Sequence, residues 1–182
     1  MTVRISKPEF NLREKLTEFD FGQVPFQKMP KGSIISSAVW SVPATAVTTS
    51  GSWAYNTTPT NAATYAVANF TFKKKLSSSI VQGIAVGHVD ANGTTGHPTV
   101  VSLVNNGTAV YGAAYRHQRV QNEEPDAYTF AFEDDMKAQD DPLNPVYYLR
   151  CHSSGTAMYF SRMRSGSTEN NPYRVFFQEV VQ

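Results

Sequence analysis

The fold is decided by residues 98–120, which read PTVVSLVNNGTAVYGAAYRHQRV. Two runs rich in valine, alanine and tyrosine flank the sequence Asn105-Asn106-Gly107. An Asn-Gly pair supplies the positive φ angles that tight hairpin turns require. The stretch therefore predicts a β-hairpin whose side chains suit a pleated, half-buried surface.

Short strand-like runs separated by turn residues continue on both sides of this hairpin. They are SIISSAVW (33–40), TYAVANFTFKKK (64–75), SIVQGIAVGHV (79–89), AYTFAF (127–132), VYYLRC (146–151), TAMYFSRMR (156–164) and YRVFFQEVV (173–181). The turn DANG (90–93) and the turn HSSG (152–155) predict two further hairpins. Many short strands without a βαβ rhythm predict an all-β protein, an antiparallel β-sandwich of jelly-roll type.

Two of these runs predict which side chains face the core. In AYTFAF, Tyr128, Phe130 and Phe132 alternate toward one side. In YRVFFQEVV, Tyr173, Val175 and Phe177 alternate against Arg174, Phe176 and Gln178. Alternation of this kind is typical of strands with one buried face.

The first 32 residues differ from the rest of the chain. Asn11 and Glu14 form a pattern like a capping box, and Leu12, Leu16 and Phe19 then share one face at helical spacing. A helix of about two turns is marginal in water, so it needs a surface to pack against, either on a partner protein or on the β-sandwich of its own chain.

An extended linker follows in residues 21–32, FGQVPFQKMPKG, with Pro25, Pro30 and Gly32. The sequence thus predicts a short N-terminal helix plus linker in residues 1–32 and a β-sandwich in residues 33–182.

Composition narrows the class of protein. The chain has 182 residues, of which 17% are charged, and 16 Lys and Arg nearly balance 15 Asp and Glu. A near-neutral chain offers no broad basic surface for nucleic acid. The N-terminus has no apolar signal region and no run approaches membrane-spanning length, so we expect neither secretion by a signal peptide nor membrane insertion.

Residues that carry chemistry are scattered. Cys151 lies beside His152 on a predicted strand, where neighbours point to opposite faces, so a nucleophile and base should not meet. His88 and His97 bracket the predicted DANG hairpin, without zinc-site spacing. We expect no catalytic residue, no metal site and no cofactor.

Two charged stretches have alternative interpretations. The acidic stretch 133–141 lacks the pattern of a calcium loop, yet whether it binds a cation stays open. The run Lys73-Lys74-Lys75 is either a contact for a polyanion or the solvated end of a strand.

The opening VRISKPEFNLREKLTEFD resembles a leader on structural proteins of tailed bacteriophages, notably marine and cyanobacterial ones. The matching positions are Arg4, Ile5, Ser6, Lys7, Pro8, Asn11, Arg13, Glu14, Leu16 and Asp20. The remainder is similar to the small β-rich domain of phage fibre and appendage proteins, with the start GSIISS, the middle SLVNNGTAVYG and the end YRVFFQEVV. Because the same leader precedes otherwise unlike domains, the resemblance implies a shared docking segment.

The sequence and the resemblance together predict a non-enzymatic virion structural protein, a capsid decoration protein or short head fibre on the virion surface. It would be made in the host cytoplasm and would dock on the major capsid protein or on a tail or neck protein. The docking residues are predicted to be Arg4, Ile5, Pro8, Phe10, Leu12, Arg13, Leu16 and Phe19. A homotrimer is expected, partly by analogy and partly because three predicted strands carry apolar residues on both faces: 146–149, 157–160 and 175–177.

Three alternatives follow from the same residues. Within the same class, the protein is a short tail or neck appendage, or a tail fibre, that binds host-surface carbohydrate. A carbohydrate-binding module would use exposed aromatic platforms among Trp40, Trp53, Tyr55, Tyr147 and Tyr148. A hydrolase would need paired carboxylates near Asp134 and Asp140.

Overall fold

The computed structural model describes residues 25–50, 53–54, 56–92, 97–118, 126–154, 157–161 and 172–182. After a 3-10 turn at Phe26–Lys28, the strands are β1 (Ile34–Ser41), β2 (Thr45–Thr48), β3 (Tyr65–Thr71), β4 (Ile80–Val86), β5 (His88–Asn92), β6 (His97–Val104), β7 (Val110–Gln118), β8 (Asp126–Ala127), β9 (Phe130–Asp134), β10 (Val146–Ser153), β11 (Ala157–Phe160) and β12 (Arg174–Val180). The predicted N-terminal helix lies outside the described residues. Within the described part of the chain, no helix is long and apolar enough to cross a membrane.

The strands form three antiparallel sheets of four strands each, in the orders β1-β12-β4-β9, β3-β10-β6-β7 and β2-β11-β5-β8. The first and third sheets correspond strand by strand, because β1 leads into β2, β4 into β5, β8 into β9 and β11 toward β12. They are therefore two halves of one bent sheet. The bent sheet and the β3-β10-β6-β7 sheet together have the eight-strand order of a jelly roll, which confirms the predicted fold class.

Hydrogen bonds to backbone groups stabilise the large sheet where it bends. Val42 N donates to Tyr173 O at 2.8 Å, and Tyr128 N donates to Gly87 O at 2.8 Å. The Ser161 hydroxyl donates to Val42 O at 2.7 Å and accepts from Tyr173 N at 2.9 Å. The strands change direction at this bend without leaving these buried backbone groups unpaired.

The core fills the space between the two sheets and is rich in aromatic rings. Between ring centroids, Phe177 on β12 lies 5.1 Å from Phe70 on β3 of the other sheet and 5.7 Å from Phe72, which directly follows β3. It also lies 5.1 Å from Tyr147 and 5.3 Å from Phe132. Ring centroids at these separations are in attractive contact, so Phe177 is the centre of the packing between the sheets.

Both predicted alternations are confirmed. Tyr128, Phe130 and Phe132 are buried, and so are Tyr173, Val175 and Phe177. The intervening residues of β12 are exposed or half-buried, as expected for a strand with one face on the core.

The hairpin predicted in residues 98–120 is confirmed by the antiparallel pairing of β6 with β7. Its turn differs from the tight Asn-Gly type, since residues 105–109 form a longer loop and Gly107 does not have a positive φ. The Asn105 carboxamide oxygen instead accepts from Gly107 N at 2.8 Å and from Ala109 N at 3.0 Å. A side chain that replaces backbone partners in this way stabilises a wider turn.

The other two predicted hairpins are wrong. The turn HSSG joins β10 to β11, which lie in different sheets, and the segment after DANG joins β5 to β6, which also lie in different sheets. In both places the chain crosses the sandwich from one sheet to the other. Turn residues mark a change of direction, but they do not determine whether the next strand pairs with the previous one.

Candidate interaction surfaces

The junction between the N-terminal segment and the sandwich lies at the edge strand β1. Gly32 N donates to Val181 O at 2.8 Å and Val181 N donates to Ser33 O at 3.0 Å, so the chain joins the sheet beside the end of β12. Ahead of this pairing, no residue from 25 to 31 is buried, and Phe26 is 37% exposed. Residues 25–31 therefore do not pack into the sandwich core. The predicted docking residues, Arg4 to Phe19, lie outside the described residues.

The outer face of the β1-β12-β4-β9 sheet carries an apolar row that crosses all four strands. Val39 pairs with Phe176, Phe176 with Ile84, and Ile84 with Ala131. Val39 is 57% exposed and Ile84 is 42% exposed. Neighbouring side chains on one face of a sheet touch, so these four residues form one continuous apolar strip, which we call the outer row.

Polar side chains border the outer row on one side, and polar side chains together with exposed Val86 border it on the other. One neighbouring line consists of Ser37, Gln178, Gln82 and Glu133, and the other contains Ser41, Arg174 and Val86. A shallow groove of about 600 Å³ runs beside Ile84 and Phe176, and its lining includes Gln82 and Glu133. The face is thus apolar along its middle and nearly neutral overall.

A second, polar pocket of about 320 Å³ lies at the end of the sandwich where β1 begins. It is formed by the β6–β7 turn, the β9–β10 loop and the first residues of β10, and its lining includes Asn106, Asp140 and Tyr148. Asp140 and Asn106 are exposed and Tyr148 is half-buried. Hydroxyl-binding groups beside an aromatic ring suit a polar ligand such as a sugar.

The acidic stretch forms much of this loop, and most of its carboxylates serve the loop itself. Asp141 accepts from Leu143 N at 2.9 Å and from the Asn144 amide at 2.9 Å, and these bonds lower the pKa of its carboxyl, the Asn144 side-chain bond most of all. Buried Asp134 accepts from Met136 N at 2.8 Å and from the Gln139 amide at 2.7 Å. Among the described residues, no three His, Cys, Asp or Glu side chains converge as a metal site would require.

The basic run does not form one patch. Lys73 and Lys75 are exposed, whereas Lys74 is buried and its ammonium donates to Ser77 O and Ser79 O. Burial is the main cause of a lowered pKa at Lys74. A contact for a polyanion would therefore have only the two outer lysines of this run.

The completely buried carboxylate of Glu179 was not anticipated from the sequence. It accepts from Lys75 N at 2.8 Å, Leu76 N at 2.8 Å and the Ser79 hydroxyl at 2.6 Å. Charge-assisted bonds to backbone N–H groups are strong, so Glu179 fixes the loop between β3 and β4. Its position at the end of an apolar strand carries no pattern that would have indicated this role.

Cys151 and His152 do not form a catalytic pair. Cys151 belongs to the hydrophobic core, and burial raises the pKa of its thiol, which opposes formation of the reactive thiolate. The His152 ring lies 4.9 Å from Trp53 and 5.2 Å from Tyr65, between ring centroids. Of the histidines that bracket DANG, His88 begins β5 and His97 begins β6 in the other sheet, so no hairpin pairs their strands.

The structure removes most of the aromatic platforms considered for carbohydrate binding. Trp40, Trp53 and Tyr147 are buried, and Tyr55 lies outside the described residues. Tyr148 keeps an accessible surface, and it lines the polar pocket. The carboxylates suggested for a hydrolase are not exposed together, because Asp134 is 1% exposed while Asp140 lies on the loop surface.

Comparison with known proteins gives matches among solved structures. No family model matches the chain. No curated protein matches it. Among solved structures, the chain is similar to "Crystal structure of infectious bursal disease virus VP2 subviral particle", with a TM-score of 0.37 and 8% identity over 81% of this chain and 38% of that one. The present chain therefore spans less than half the length of that VP2 chain, and similarity of this size carries no conclusion about function.

Proposed function

We propose that this protein is a non-enzymatic structural protein of a bacteriophage particle, a capsid decoration protein or short head fibre held by residues 1–32. The observation that carries the proposal is the junction at β1. The linker reaches the sandwich at one edge, beside Val181, and residues 25–31 remain outside the core. Such a junction suits a segment that binds elsewhere while the sandwich is displayed.

The leader supplies the attachment in this proposal. Leu12, Leu16 and Phe19 share one face of a predicted helix that is too short to be stable alone. Docking of that face into a groove of another virion protein would bury the three side chains. The resemblance of residues 3–20 to the phage leader supports the same role, and it names the capsid or the tail and neck as the docking partner.

A structural role also agrees with the chemistry of the described residues. Their single thiol is buried in the core. The buried carboxylate of Asp134 accepts hydrogen bonds within its own loop, and that of Glu179 accepts them from the β3–β4 loop. A jelly roll serves capsid and lectin domains alike, so the fold is compatible with display but does not assign it.

The test is incorporation into particles. Protein lacking residues 1–31 should stay folded but no longer join virions. Leu16→Asp should weaken incorporation because it puts a charge into an apolar contact, whereas Thr17→Asp, on the opposite side of the predicted helix, should incorporate normally. Normal incorporation of the truncated protein would refute attachment by the leader.

The polar pocket favours a second candidate function, binding of host-surface carbohydrate by a tail or neck appendage. Among the described residues, the Asp140 carboxylate and the Tyr148 hydroxyl have no hydrogen-bond partner, and both line the pocket. A sugar hydroxyl would pair with Asp140 while the ring packs on Tyr148. The pocket lies at the same end of the sandwich as the junction, the end that would face the particle if the leader is docked. We therefore rank carbohydrate binding second to attachment.

Glycan-array binding of the full-length protein tests the second function. Tyr148→Ala should abolish a signal that Tyr115→Ala retains, because Tyr115 is 40% exposed on β7 and does not line the pocket. A signal unaffected by Tyr148→Ala would place the sugar elsewhere.

A further inference from the structure

We infer that copies of this chain associate through the outer face of the β1-β12-β4-β9 sheet, about an axis parallel to its strands. The starting observation is the outer row of Val39, Phe176, Ile84 and Ala131. An apolar strip across an entire sheet is unusual on a surface that faces water alone, because outward positions of a sandwich strand are normally polar.

The register of the sheet makes this face complementary to itself. Each line of paired residues lies at one height along the strands. Rotation of one copy about an axis parallel to the strands does not shift any residue along the strand direction. The outer row of one copy therefore meets the outer row of the next. In a two-fold arrangement, β12 faces β4, and Phe176 therefore packs on Ile84 of the second copy. Copies in a three-fold ring bring the same two residues together around the axis.

The two charged residues that border the outer row do not repel each other in this arrangement. The bordering lines contain one acid, Glu133, and one base, Arg174, on opposite sides of the outer row. In the two-fold arrangement, Glu133 on β9 of one copy faces Ser37 on β1 of the other, and Arg174 on β12 faces Val86 on β4 of the other copy. No like charges are brought together, so desolvation of the row is not opposed by repulsion between copies.

The N-terminal segment is a weaker occupant of this face. The described part of that segment, residues 25–31, contains no buried residue, and Phe26 leaves 37% of its surface exposed. A leader folded over the sheet would be expected to begin packing at these apolar residues, since they are the nearest to the sheet edge. A second copy requires no such path and carries the same apolar row.

Light scattering on the full-length protein at micromolar concentration tests the inference. We expect a dimer or trimer mass, with trimer the number expected from the sequence. Ile84→Asp should convert it to a monomer with an unchanged circular dichroism spectrum. Leu143→Asp is the matched control, because Leu143 is also 42% exposed but lies on the β9–β10 loop, and it should leave the mass unchanged.

A cross-linking measurement locates the contact independently. Ile84→Cys should form covalent oligomers with a short bis-maleimide, and Leu143→Cys should not. Native Cys151 contributes no background because it is 0% exposed. A monomer mass for the unmodified protein would overturn the inference, as would an oligomer that Ile84→Asp leaves intact. A monomer whose Ile84→Asp variant fails to join virions would instead assign the face to a different virion protein.

Discussion

Glu179 is a buried carboxylate whose oxygens receive hydrogen bonds only from groups of one loop, among the described residues. Replacement by glutamine keeps the shape but turns one acceptor into a donor that faces the N–H groups of Lys75 and Leu76. We expect Glu179→Gln to lower the free energy of unfolding by about 1.5–3 kcal/mol, the range of hydrogen bonds to charged groups. Urea denaturation measures the change.

The matched control for this substitution is Asp140→Asn, because Asp140 is exposed and has no bonded partner among the described residues. It should change stability by less than about 0.5 kcal/mol. Equal effects of the two substitutions would show that the Glu179 bonds contribute nothing specific.

His152 makes stability depend on pH in a definite direction. Burial against Trp53 and Tyr65 lowers the pKa of its imidazole in the folded state, so the folded protein binds its proton less readily than the unfolded chain does. Stability should therefore be full above the unfolded pKa of about 6.5 and fall as the pH drops below it.

The variant His152→Phe retains a ring for stacking and removes the titration. The loss of stability between pH 7.5 and pH 5.5 should be smaller in His152→Phe than in the native protein, measured by urea midpoints at the two pH values. An identical loss in both proteins would contradict a contribution from His152.

For single residues, the sequence predicts which side chains of a strand alternate between core and surface, but it does not predict the hydrogen-bonding role of a particular polar residue. Tyr128 and Phe177 could be assigned to the core because strand periodicity depends on local spacing alone. Lys74 and Glu179 could not be assigned, because both lie where the β3–β4 loop meets the end of β12, and these two segments are distant in sequence. Tyr148 could be named as an aromatic candidate, but its accessibility depends on which face of β10 meets the core.

Among the elements, the bend of the large sheet depends on close backbone approach at Gly87. A Cβ atom at Gly87 would lie 2.7 Å from Tyr173 Cα, which leaves no room for a methyl group. Gly87→Ala should lower the free energy of unfolding by about 1–3 kcal/mol, as overpacking of a core does.

Gly107→Ala provides the control for the bend, because the atom nearest to its added Cβ, Asn105 Oδ1, is 3.5 Å away. It should be neutral within about 0.5 kcal/mol. The comparison by thermal unfolding isolates the contact at Gly87 from the general effect of replacing a glycine, and equal losses would contradict it.

One of the three predicted hairpins is present in the structure and two are not, and the comparison shows which elements a sequence can specify. The β6–β7 hairpin was predictable because both strands and their turn are contiguous and remain in one sheet. The crossings from β5 to β6 and from β10 to β11 have similar turn residues, yet they join different sheets. A hairpin and a crossing between sheets differ only in which strands from other parts of the chain pair with the two connected strands, as β3 pairs with β10.

For the whole molecule, the two ends of the sequence should differ sharply in their importance for folding. The described core runs from Ala38 to Phe177. Removal of residues 1–31 should leave the circular dichroism spectrum unchanged and the melting midpoint within about 4 °C, the shift that corresponds to roughly 1 kcal/mol. Removal of residues 174–182 should abolish cooperative unfolding, because β12 lies between β1 and β4 and supplies Phe177.

The jelly-roll class could be named from many short strands, whereas its strand order could not. The pairing of β1 with β12 joins residues separated by most of the described chain, and no local pattern encodes it. The outer row was missed for the same reason, although the surplus of apolar residues in β12 pointed to some covered surface. Val39, Phe176 and Ile84 become neighbours only when three distant strands are aligned.

The central position of β12 has a consequence for synthesis in the cell. A nascent chain that has released β1 and β4 from the ribosome must keep both strands apart, with their facing edges unpaired, until residues 174–180 emerge between them. Folding of this half of the sandwich is thus postponed until β12 has been synthesised, and contacts of such long sequence separation form slowly. A stop codon or a ribosomal stall ahead of residue 174 would leave a polypeptide with two open sheet edges, a species prone to aggregate.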